Sequence, residues 1–215
     1  MTSEGPDMLA EDLMMLLHNP ATGRLLVPPG KADVAIGGAL LAELMERHSI
    51  ELTEPHRVTK HRTVSVIDPT PTGDDILDEV LQRIPACRSA RAHVVVSKIT
   101  NGVRSRLMER LTEQGALKPE QARLVGIIPA AAWPAAHTSH IDELRRGLHH
   151  VLAGDRSPTR QEAAIIALLS AIRGTAKVLG DAELGRRELQ RRAKATAEGD
   201  AAGEAVRQAL AAAAF

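Results

Sequence analysis

The chain has 215 residues, 44% hydrophobic and 25% charged, a globular composition long enough to bury a sizeable core and unlike that of a disordered segment. Its 27 Lys and Arg balance 27 Asp and Glu, which excludes bulk adhesion to nucleic acid, so a polyanion would have to be met by a local patch. Trp133 and Phe215 are the aromatic residues and there is no Tyr, so bases find no stacking platform; one cysteine, Cys87, excludes an intrachain disulfide.

No apolar run reaches the roughly 18 to 20 residues that span a bilayer. The start of the chain carries Glu4, Asp7, Glu11 and Asp12, with no Lys or Arg before Arg24, so no secretory signal is predicted. The expected location is cytoplasmic, with attachment to the inner face of the plasma membrane as the alternative to free solution.

Asp7 to His18 predicts a first helix, with Leu9, Leu13, Leu16 and Leu17 on one face and Asn19-Pro20 as its stop. Gly23 to Val27 reads as a short strand. A second helix is predicted from about Asp33 to Arg47, lined by Ile36, Leu40, Leu41 and Leu44, with Gly37 and Gly38 permitting close packing. Alternation at Ile50/Leu52 and Val64/Val66 predicts two short strands, joined by a polar loop holding His56, Arg57, Lys60, His61 and Arg62.

The turn Asp68 to Asp74 feeds a helix from Asp75 to Ile84, whose opening acids suit its dipole. Ala90 to Ile99 is ambiguous, since Val94, Val95 and Val96 favour a strand in helical surroundings. Asn101 to Gln114 predicts a helix capped by Gly115. Arg123 to Trp133 reads as a β-hairpin with an apolar tip. Ser139 caps the next helix. Ser157-Pro158 opens another over Glu162 to Ile172, apolar nearly all round and therefore central. Two more helices follow, near Asp181 to Ala197 and Gly203 to Ala213. The expected architecture is mainly α: one domain over 1–215, a helical bundle around a central apolar helix, with short strands and a protruding hairpin.

Catalytic patterns are thin. There is no phosphate loop, dinucleotide fingerprint or nucleophile elbow. Cys87 has no acid–base partner nearby in sequence. His137, His140, His149 and His150 lack the further ligands a zinc site needs. No enzyme activity, metal or cofactor is expected. The Arg-rich stretch from Arg83 to Arg110 is more informative. Arg83, Arg88, Arg91, Lys98, Arg104, Arg106 and Arg110 stand against Glu109 alone, a local charge of +6. It reads either as a solvated helix face or as an anion site, since guanidinium groups hold phosphate in bidentate fashion and a helix start near Asn101-Gly102 adds free amides. A second basic run, Arg186, Arg187, Arg191, Arg192 and Lys194, is diluted by Glu183 and Glu188 and ranks lower.

The succession Leu40-Leu41-Ala42-Glu43-Leu44, Pro71-Thr72-Gly73-Asp74 with Leu77-Asp78-Glu79, and Arg104-Ser105-Arg106-Leu107 leading to Glu113-Gln114-Gly115-Ala116-Leu117 resembles the Golgi phosphoprotein 3 family. Ala197 to Asp200 looks like the bacterial members of that family. The resemblance implies a helical bundle around a central apolar helix with a protruding hairpin, and a peripheral membrane protein that binds phosphatidylinositol 4-phosphate. It also implies a headgroup pocket of a Trp, an Arg on the second helix and two Arg three apart. Of these, Arg104 matches the second of the paired arginines. Asn101 stands at its partner's position, Gly37 at that of the second-helix Arg and Pro28 at that of the Trp. Lys98, Arg106 and Arg24 are the substitute cations expected from proximity in sequence. Leu124, Val125, Ile127, Ile128 and Trp133 of the hairpin are the expected contacts to a second subunit or a membrane.

The expected function is thus a non-enzymatic peripheral membrane adaptor recognising an anionic, phosphoinositide-like phospholipid. The alternative is a soluble oligomeric scaffold that keeps the fold without the lipid. A homo-oligomer formed through the hairpin is expected, protein partners are unknown, and no nucleic acid is expected.

Overall fold

The computed structural model describes residues 8–55, 57, 61–118, 139–180 and 184–213. Among them are the helices α1 (Leu9–Leu17), α2 (Pro29–Glu46), α3 (Asp75–Arg83), α4 (Ala92–Ile99), α5 (Val103–Glu113), α6 (Ser139–Ala153), α7 (Arg160–Ala171), α8 (Thr175–Leu179), α9 (Arg186–Thr196) and α10 (Ala201–Ala213). Two strands, β1 (Ile50–Leu52) and β2 (Val64–Val66), pair antiparallel with Ile50 opposite Val66 and Leu52 opposite Val64. The fold is the mainly helical bundle that the periodicities predict. The predicted hairpin, with Leu124, Val125, Ile127, Ile128 and Trp133, lies outside the described residues.

α7 packs against α1, α2, α6, α8, α9 and α10, and Ile165, Ile166, Leu168 and Leu169 on it are fully buried. Its all-round apolar character therefore does what the sequence implies. α2 shares the centre, touching α1, α3, α4, α7, α10 and β1. Small residues make this contact possible. A Cβ on Gly38 would lie 2.5 Å from both Leu168 and Val206, and one on Gly37 would lie 2.6 Å from Thr100 Cγ2 and 2.7 Å from the Val96 carbonyl.

Several elements depart from the sequence reading. The valine run folds as α4: Val95 and Val96 face the core, while the antiparallel bridge Thr63–Arg91 stops just before it. Tertiary packing outweighs the strand preference of β-branched residues here. Gly23 to Val27 forms one isolated bridge, His18 to Leu25, instead of a strand. α7 starts after Thr159 and not at Ser157-Pro158, because Thr159 and Glu162 close a capping box. α1 is buried on all sides, including Glu11 and Asp12. Asp12 is satisfied there by His140 and Gln161, each at 2.6 Å.

Candidate functional site

The turn between α4 and α5 builds a cleft that holds two of the predicted cations. Gly102 adopts φ +76° at the start of α5, a left-handed conformation that glycine takes without steric cost. No side chain caps α5. The Val103 amide donates to Thr100 O at 3.1 Å, and those of Arg104 and Ser105 have no acceptor among the described residues. A helix start of this kind attracts anions through its unpaired amides and its dipole.

Beside it opens a cleft of about 470 Å³ lined by Asp33, Lys98, Asn101, Gly102 and Arg104, with hydroxyls from Ser97, Thr100 and Ser105. Arg104 Nε donates to Asp33 Oδ1 at 2.9 Å. Burial raises the Asp33 carboxyl and the Arg104 charge partly offsets it. The two side chains are 36% and 34% exposed, so water screens the pair and it is worth about 1 kcal/mol or less. A phosphate dianion can compete with Asp33 for this guanidinium.

Of the four cations singled out in the sequence, Lys98 and Arg104 line this cleft, whereas Arg24 and Arg106 do not. Arg106 is bound by Asp75 and Glu79. Arg24 is exposed on the segment leading into α2. The +6 of the Arg83–Arg110 stretch is partly neutralised, because α3 brings the opposite charge to three of its arginines. Arg83 pairs with Glu79 and donates to the carbonyls of Ile99 and Asn101 at 2.9 and 2.7 Å, capping the end of α4. Arg110 binds Asp74 at 2.6 Å, together with Asp75 and Glu11. Counting charge along the chain missed this pairing between α3 and α5.

The positions with departures from the family pattern also acquire a physical meaning. Pro28 is exposed and its carbonyl accepts from Lys31 and Ala32 at the start of α2. Gly37 is buried against α4 and does not face the cleft. The α2 residue that does is Asp33, one turn earlier. Helical spacing from Gly37 is the signal that would have found it.

The family model for Golgi phosphoprotein 3 (GPP34) matches residues 9–213. The chain belongs to the Golgi phosphoprotein 3 family. No curated protein matches the sequence. The match runs from the first residue of α1 to the last of α10, so it takes in the whole helical bundle, the cleft included.

Elsewhere in this Golgi phosphoprotein 3 domain, a groove of about 870 Å³ holds none of the predicted cations, and its Arg160 is already paired with Glu46. Cys87 is half-buried, its Sγ lies 3.5 Å from the Arg83 carbonyl, and burial raises its thiol pKa, the reverse of an activated nucleophile. Among the described residues, no group of three or more His, Cys, Asp or Glu is arranged to hold a metal ion. No described helix is long and apolar enough to cross a membrane.

Proposed function

We propose that the protein is a non-catalytic peripheral membrane adaptor that takes the phosphate of an anionic, phosphoinositide-like lipid headgroup into the cleft of Lys98 and Arg104. The observation that supports this reading is the convergence of these two cations on the uncapped start of α5, inside one open cleft. The guanidinium and ammonium supply charge, the α5 amides supply oriented donors, and the neighbouring hydroxyls supply further hydrogen bonds. Asp33 acts as a resident counter-carboxylate that the headgroup displaces. With Asn101 in place of a second arginine the site is weak for a single headgroup, so stable attachment calls for a second contact or for avidity in an oligomer.

Co-sedimentation with vesicles tests this. Neutral phosphatidylcholine vesicles, vesicles with phosphatidylserine and vesicles with phosphatidylinositol 4-phosphate are compared at low salt. The phosphoinositide vesicles are expected to retain the wild type. Arg104→Ala is expected to weaken that binding by about tenfold, the worth of one charge-assisted hydrogen bond, and Asp33→Ala to strengthen it. Failure of the wild type to bind any anionic vesicle overturns the reading.

The Arg104–Asp33 ion pair favours a second reading, a soluble oligomeric scaffold in which that pair is purely structural. Under it, Asp33→Ala lowers stability without creating lipid binding, and sedimentation velocity shows a defined oligomer.

A further inference from the structure

We infer a second anion site, for an organic phosphate, in a cleft of about 700 Å³ where α2, the end of α7, α9 and α10 meet. Four cations from these four regions line it, Lys31, Arg173, Lys194 and Arg207, against the single carboxylate of Glu198. Arg173, Lys194 and Arg207 are exposed, and among the described residues none of the four is held in an ion pair. Arg207 does act on Asp200 from a distance, lowering its pKa against the larger effect of burial. Lys31 Nζ donates to the Ile172 carbonyl at 3.0 Å, which leaves two of its protons for a ligand.

Helix dipoles explain some of this charge and not the rest. Lys31 serves the C-terminal end of α7, and Lys194 sits in the last turn of α9, where cations are ordinarily favoured. Arg207 lies in the middle of α10, where no dipole calls for it. Arg173 stands just beyond α7 with φ +56°. Its amide donates to Ser170 O at 3.1 Å, and that of Gly174 donates to Leu169 O at 2.8 Å. This is the helix-ending turn whose left-handed position normally carries glycine. Here that position puts a guanidinium into the cleft.

Two guanidinium and two ammonium groups exceed what one carboxylate uses and suit the several acceptor oxygens of a phosphate. Ala171, Leu210 and Ala211 give the same cleft an apolar side for the organic part of the ligand. Its placement also relates it to the Lys98–Arg104 cleft. Lys31 and Asp33 are two positions apart in the first turns of α2, about 200° around its axis, so the two clefts flank one end of that helix. The inference does not depend on the first cleft binding lipid.

The test uses the full chain with two probes, glycerol 3-phosphate in solution, followed by NMR titration, and phosphatidylcholine vesicles with and without phosphatidic acid. The variant Arg173→Gly removes the charge while giving the left-handed turn its preferred residue, so its Tm is expected to equal or exceed that of the wild type. Arg207→Ala is the second variant. The wild type is expected to bind, with each substitution weakening binding by about tenfold. Binding to both probes assigns a free phosphate as sufficient. Binding to phosphatidic acid vesicles alone, lost in Arg173→Gly, assigns the lipid surface. Absence of binding to either probe, or binding that both variants leave within about twofold of wild type, overturns the inference. Vesicle binding lost only in Arg104→Ala rejects this site and keeps the first; loss only in Arg173→Gly and Arg207→Ala does the opposite.

Discussion

Gly37 shows how one residue divides packing from function. The resemblance to the family implied a headgroup arginine at this position, yet a single methyl there would press on the Val96 carbonyl and the Thr100 side chain. Backbone cannot retreat as a flexible side-chain end can. Gly37→Ala is therefore expected to lower stability by about 1–3 kcal/mol. Urea denaturation read by circular dichroism checks it, and an unchanged midpoint would show that α2 and α4 separate more easily than the structure implies. The sequence contained part of this. The Gly37-Gly38 pair announced a close approach, but not which helix approaches, because α4 was ambiguous between helix and strand until its valines met the core. Lys98 and Arg104 were legible as cations, whereas Asp33, which neutralises one of them, stands 71 positions earlier in the chain.

Between elements, the decisive relation is α3 against α5. The Pro71-Thr72-Gly73-Asp74 segment builds the start of α3: Gly73 takes φ +87°, Thr72 Oγ1 donates to Asp78 Oδ1 at 2.7 Å, and Asp74 caps the amides of Ile76 and Leu77 at 2.9 and 3.0 Å. The same Asp74 carboxylate holds Arg110 of α5. Burial alone would raise its pKa, but the hydrogen bonds from Arg110 and from the α3 amides win and hold it below the usual carboxylate range. Asp74→Ala removes a cap and leaves a largely buried guanidinium short of a partner, a loss expected to be on the order of 2–4 kcal/mol. A change under about 0.5 kcal/mol in equilibrium unfolding would reject this double role. This is also why the family-like motif reads as structural. Its acids hold Arg83, Arg106 and Arg110, three of the arginines that the linear charge count left open between a solvated face and an anion site.

For the molecule as a whole, buried carboxylates set the response to pH. Glu43 accepts the Leu9 amide and so caps α1, whose own N-cap Met8 supplies no side-chain acceptor. Burial is the main cause that pushes its pKa up from 4.5 to about 8. The folded state thus keeps a proton that the unfolded chain releases near 4.5, and stability falls as pH rises from there to about 8. Glu11, Asp12, Asp33 and Asp200, also raised by burial, act in the same direction. Asp74 and Glu162, the latter held at about 2 chiefly by Arg156, act oppositely and lose their contribution in stronger acid. Glu43→Gln keeps an acceptor for Leu9 and removes the ionisation. Its Tm is expected to match the wild type near about pH 5 and to exceed it by several degrees near about pH 9. Parallel Tm curves across that range would count against Glu43 as the group responsible.

The sequence by itself determined the helical class, the central place of α7, the short strand pair, the turn at Gly115 and the family, because each rests on periodicity, caps or colinear motifs that span few residues. Only the tertiary structure decided where charge remains uncompensated. Lys31, Arg173, Lys194 and Arg207 are scattered over 177 residues of chain and meet in one cleft, whereas Arg83, Arg106 and Arg110 of the dense run are paired with acids of α1 and α3. The physical reason is range: secondary structure follows from neighbours along the chain, but an electrostatic field sums over neighbours in space.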